Sequence, residues 1–174
     1  MRFAHLPVFV FLFLLSGAST FAQSAPSAVP GANAVIRGTY GDWQMRCENV
    51  QGTVGEQCAL VQSVIAKDRA NTGLMVIAGK FGAEKVQMLR VITPLGVLLP
   101  AGLGLHIDGE NIGATDFVHC VPNGCIAEAK LDDALVKKLK SGKTANFQIF
   151  LTREDGIGIP VSLNGFATGF DLLK

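Results

Sequence analysis

Asp116-Phe-Val-His-Cys-Val-Pro-Asn-Gly-Cys-Ile-Ala-Glu-Ala129 carries two of the four cysteines, on either side of a Pro-Asn-Gly turn. Apolar residues flank the turn on both sides, so the segment predicts two short strands joined by a hairpin. A second pair, Cys47 and Cys58, lies upstream. Four cysteines allow three pairings. Proximity favours Cys47 with Cys58 and Cys120 with Cys125. The spacings C-x10-C and C-x4-C match neither a zinc ribbon nor the C-x-x-C redox pair. Two local disulfides imply an oxidising compartment.

The N-terminus supports the same conclusion. Arg2 precedes the apolar run Leu6-Pro-Val-Phe-Val-Phe-Leu-Phe-Leu-Leu15, and Thr20-Phe-Ala22 follows as a small-residue cleavage site. Residues 1–22 therefore predict a signal peptide. The run is short of the roughly 20 apolar residues that a spanning helix needs, and no later segment could span a bilayer. Export places the protein in the periplasm, at the outer membrane or in the medium. Residues 23–38, rich in Ala, Ser, Pro and Gly, predict a flexible leader, and 39–174 a single domain.

Removing Arg2 leaves 14 basic and 14 acidic residues, so the exported chain is neutral with His uncharged (14 − 14 = 0). Nucleic-acid binding rests on clustered Lys and Arg and is not expected.

Working outward, Trp43, Met45 and Cys47 alternate with Gln44 and Arg46, the pattern of a half-buried strand with Trp43 as a core anchor. Cys58–Ala66 predicts the next strand. Gly73–Gly79 is apolar throughout, as a central strand would be. Lys85–Thr93 predicts another, with faces poorly sorted because Arg90 shares a side with Val86 and Met88. Prolines 94 and 100 mark strand ends, and Gly102-x-Gly104 lacks the third glycine, helix and lysine of a phosphate loop.

Leu131, Leu135 and Leu139 recur every four residues. Asp132 and Asp133 lie in the first turn of that pattern, Lys137, Lys138 and Lys140 in its last, and Gly142 terminates it, so one short helix is expected. Thr144–Thr152 and Ile157–Leu163 form a hairpin across Asp155-Gly156, with Pro160 marking an edge. The fold class is all-β, mostly antiparallel, a sandwich with one short helix.

No catalytic or cofactor-binding constellation is visible. Gly-x-Ser-x-Gly and His-Glu-x-x-His are absent. His106 and His119, the only histidines after the signal, lie in apolar segments as structural residues would. The site residues expected are the four cysteines, Cys47, Cys58, Cys120 and Cys125, as disulfides.

The ordered set of pieces resembles the invasion-associated locus B family, exported proteins of Gram-negative bacteria. It comprises Gly41-Asp-Trp43 with Cys47, Cys58, Pro94-Leu-Gly-Val-Leu-Leu-Pro100 with Gly102 and Ile107-Asp108, Cys120-Val-Pro-Asn-Gly-Cys125, the leucine-spaced helix, and Pro160-Val-Ser-Leu-Asn-Gly-Phe166. The resemblance covers roughly 39–173. It implies an immunoglobulin-like β-sandwich without catalytic residues or cofactor, and an interaction role toward a protein or cell-envelope component, with host-cell invasion or adhesion the role of some members. The alternative is a periplasmic small-molecule-binding or enzymatic domain, which requires a pocket joining polar groups to His106 or His119.

Overall fold

A computed structural model describes residues 34–50, 55–66, 72–82 and 84–174. Residues 1–22 and the leader as far as 33 lie outside them, as do 51–54 and most of the turn at 67–72. Eleven strands among the described residues form two antiparallel sheets stacked as a sandwich.

The chain opens with a five-strand meander: β1 (Val35–Tyr40), β2 (Trp43–Asn49), β3 (Glu56–Ile65), β4 (Gly73–Phe81) and β5 (Val86–Thr93). It crosses to the second layer through the short 3-10 turn Leu99–Ala101, and there makes β6 (Leu103–Ile107) and β7 (Glu110–Thr115). It returns as the hairpin β8 (Phe117–Val121) and β9 (Gly124–Lys130), and α1 (Asp133–Ser141) then leads back to β10 (Thr144–Phe150) and β11 (Gly156–Ser162). The helix α2 (Phe166–Asp171) closes the chain. The larger sheet runs β1-β2-β3-β4-β5-β9-β8 and the smaller β11-β10-β6-β7.

The alternation in sequence becomes the two sides of each layer. Trp43, Met45 and Cys47 face inward from β2, and Ala145, Phe147 and Ile149 from β10. Trp43 is the core anchor expected: its indole is 1 % exposed, meets Phe166 edge-on with ring centroids 5.1 Å apart, and donates Nε1–H to the Ser162 carbonyl at 2.9 Å. Gln62 fastens the layers beside it. Its Nε2 donates to the same carbonyl at 3.0 Å, and its Oε1 accepts from Ser162 N at 3.1 Å, so this buried amide is satisfied.

Three elements differ from the sequence reading. Strand β1 begins at Val35, inside the stretch read as leader, because Val35–Tyr40 pairs with β2 although four of its six residues are exposed and the other two half-buried. Strand β7, Glu-Asn-Ile-Gly-Ala-Thr, was not anticipated; only Ile112 among its larger side chains packs on the core. A second helix, α2, follows Asn164-Gly165. Its turn needs glycine: Gly165 has φ +86°, and a Cβ there would lie 2.0 Å from the Tyr40 carbonyl oxygen.

Helix α1 forms as its sequence directs. Asp132 caps it, Oδ1 accepting from Leu135 N at 2.7 Å, and Val136 and Leu139 are buried. Its lysines serve local ion pairs, Lys138 with Glu110 and Lys140 with Asp171. No helix among the described residues is long and apolar enough to cross a membrane.

Candidate functional site

The hairpin at 116–129 is structural. Cys120 and Cys125 face each other directly across β8 and β9, with Cα atoms 3.9 Å apart and a disulfide between them. Cys47 and Cys58 stand opposite in the same way on β2 and β3, with Cα atoms 4.0 Å apart. Non-hydrogen-bonded antiparallel neighbours are the closest pairs a sheet offers, at about 4.5 Å, so both bridges use positions that the ladder already brings together. Gly124 completes the hairpin. Its φ is +151°, and a Cβ would lie 2.3 Å from the Thr93 carbonyl oxygen of the adjacent strand.

Cys47, Glu56 and Cys58 bring potential metal-ligand atoms within 4.8 Å of one another. Both sulfurs are spent in the disulfide, and the Glu56 carboxylate receives three hydrogen bonds from Arg37, the shortest 2.7 Å. That hydrogen bonding, with the carboxylate's charge, raises the guanidinium pKa above its ordinary range. The group does not fit a zinc centre, which needs free thiolates.

The histidines are not brought together. His106 is half-buried on β6 between Leu105 and Ile107, both of which point inward, so it belongs to the outward side of the smaller sheet, opposite Asn146 and Asn111. His119 is exposed on β8, opposite Ile126, on the outward side of the larger sheet. They occupy opposite faces of the sandwich.

The outward side of the larger sheet carries the feature that sequence reading missed. Strand register sets Gln44, Val61, Ile77, Arg90 and Glu128 in one row across five strands. The next row is Ser63, Met75, Ile92, Ile126 and His119. Val61, Ile77, Ile92 and Ile126 form a hydrophobic cluster separate from the interior core, with Ala59, Met75, Phe81 and Val121 packed against it. The signal was Arg90 sharing a side with Met88: both sides of the central strands are apolar, so a single inward side could not be sorted out.

A groove of about 300 Å³ opens on this face, walled by Ala59, Val61, Met75, Ile77 and Phe81, with Arg46, Glu48 and Arg90 at its rim. Arg90 is committed, with Nε 2.7 Å from Glu128 Oε1 and its guanidinium 5.7 Å from the Phe81 ring centroid. Arg46 bonds a neutral amide, Nε and Nη2 reaching Gln44 Oε1 at 3.1 and 2.8 Å. A second depression of about 510 Å³ lies beside α1 and α2 and is polar. Of its three lysines, Lys140 pairs with Asp171 and Lys80 donates to the Leu173 carbonyl at 2.7 Å, while Lys137 is exposed on α1.

Comparison with known proteins places this architecture. The chain is 29 % identical over 164 residues to the invasion protein B homologs of Brucella abortus strain 2308 and of Brucella abortus biovar 1 strain 9-941, covering 92 % of this chain and 89 % of each relative. The crystal structure of invasion associated protein B from Bartonella henselae shares the fold, with a TM-score of 0.63 at 23 % identity over 75 % of this chain and 89 % of that one. The model of the invasion associated locus B (IalB) protein family matches residues 43–174, from the buried Trp43 to the C-terminus, and the chain belongs to that family.

Proposed function

We propose that the protein is exported and acts in the bacterial cell envelope as a non-catalytic interaction module, a β-sandwich that engages a protein or envelope component. The observation that carries this reading is the pair of cross-strand disulfides in a domain whose relatives are named invasion proteins and match it over nearly their full length. Disulfides persist in oxidising compartments, and the apolar run before Thr20-Phe-Ala22 supplies the route there. Invasion is the role those relatives' names carry. For this chain the reading is envelope binding, which host contact would make one instance of.

Fractionation of cells producing a C-terminally tagged chain, with N-terminal sequencing, tests export. The expected product sits in the envelope fraction and begins at Gln23. An uncleaved cytoplasmic product removes the reading. Cross-linking in intact cells then tests interaction: a discrete adduct is expected, and recovery of free monomer alone sinks it.

A further inference from the structure

The outward face of the larger sheet is built unlike a solvated one. In a sandwich, the side away from the partner sheet is ordinarily polar. Here Val61, Ile77, Ile92 and Ile126 lie on that side, each no more than 9 % exposed. A flat protein partner laid over them would bury little more of these four side chains. The accessible apolar surface is instead inside the concavity, between Met75, Phe81 and Ala59, which are partly buried. Such a shape takes a thin occupant that enters it. At about 300 Å³ it stands at the small end of ligand sites, which run from about 300 to 1,000 Å³.

The rim specifies the other end of that occupant. Arg90 already has a carboxylate, Glu128. Arg46 is half-buried, and its two directed donors rest on the neutral oxygen of Gln44, two residues before it on β2. Glu48 stands two residues after it on the same rim. An anionic head would gain charge-assisted hydrogen bonds by replacing the amide on the Gln44 side. We propose that this groove binds one single-chain carboxylate amphiphile, its alkyl chain against Met75, Ile77 and Phe81 and its carboxylate on Arg46. Neither histidine takes part, so the site is distinct from the histidine-centred pocket considered from sequence, and it stands independently of the envelope-interaction reading.

Calorimetric titration of dodecanoate, below its micelle-forming concentration, into the oxidised chain recovered from export tests this. One-to-one saturation is expected. Decanoate, two methylenes shorter, should bind about fifteenfold more weakly, as each buried methylene contributes about fourfold. Arg46→Gln should weaken dodecanoate about tenfold and leave dodecanol unchanged. Met75→Glu, at a partly exposed wall position, should abolish binding of both. The proposal is overturned by the absence of saturable binding, by an affinity indifferent to chain length, or by an Arg46→Gln variant that binds as the parent does. It is also overturned if sedimentation shows a dimer that Met75→Glu dissociates, because the occupant is then a second copy of the chain.

Discussion

Gly124 shows how much one missing atom controls. The turn Pro122-Asn123-Gly124 is legible as a turn from its residues alone. The structure adds a steric reason, since any Cβ would strike the Thr93 carbonyl oxygen at 2.3 Å and the Ile92 Cγ2 at 2.8 Å. Thr93 is itself buried, its hydroxyl donating to the Cys125 carbonyl at 3.2 Å. Neither neighbour can retreat cheaply. Gly124→Ala should therefore cost about 3 kcal/mol, combining φ strain with overpacking. Chemical denaturation reads this directly; a midpoint within error of the parent would mean that β5 and β9 separate more readily than their pairing implies. Trp43 was legible for a different reason: a single large aromatic on the apolar side of an alternating strand has few places to go but the core. Its hydrogen-bond acceptor, Ser162, is 119 residues away in sequence, and nothing local could reveal it.

At the scale of elements, sequence was most informative where one side of an element is buried and the other is wet. Strands β2, β10 and β11 alternate cleanly and were found, and Pro160 does lie on an edge strand, β11. Helix α1 announced itself through leucine spacing and Asp132. Asp132→Ala should lower stability by about 1 kcal/mol through loss of the bond to Leu135 N, measurable as a shift in thermal midpoint; no shift would mean that water caps the helix equally well. Strands β1 and β7 escaped because they are edges, mostly exposed, whose formation is dictated by the neighbour's ladder rather than by their own pattern. Strand β5 was found, but its sides were not separable. Arg90 and Ile92 share the outward side, and only the register with β4 and β9 shows that they join two rows of a surface groove. The candidate site was thus invisible in sequence: its walls come from two strands and its rim from two more, and its periodicity mimics a buried strand.

The whole molecule is a wide sheet covered on one side by a narrower one, with hydrophobic packing and the Gln62–Ser162 pair holding the layers together. The bridges contribute by restricting the unfolded chain. On the loop-entropy model Cys47–Cys58 is worth about 3 kcal/mol and Cys120–Cys125 about 2 kcal/mol. Cys120 is exposed, so Cys120→Ser removes the second bridge without burying a hydroxyl. The variant should unfold about 2 kcal/mol more easily than the parent under non-reducing conditions, and the difference should vanish when both are reduced. A difference that survives reduction would assign the effect to packing at β8 instead.

Each bridge joins strands adjacent in the larger sheet, and neither links that sheet to the smaller one. Pulled from its two ends, the molecule would therefore shed one layer from the other without meeting a covalent obstacle, while two short loops stay hidden from the load. Those loops span separations of 11 and 5 residues. At up to about 3.6 Å per residue, reduction should release roughly 50 Å of further extension, a length that optical tweezers resolve.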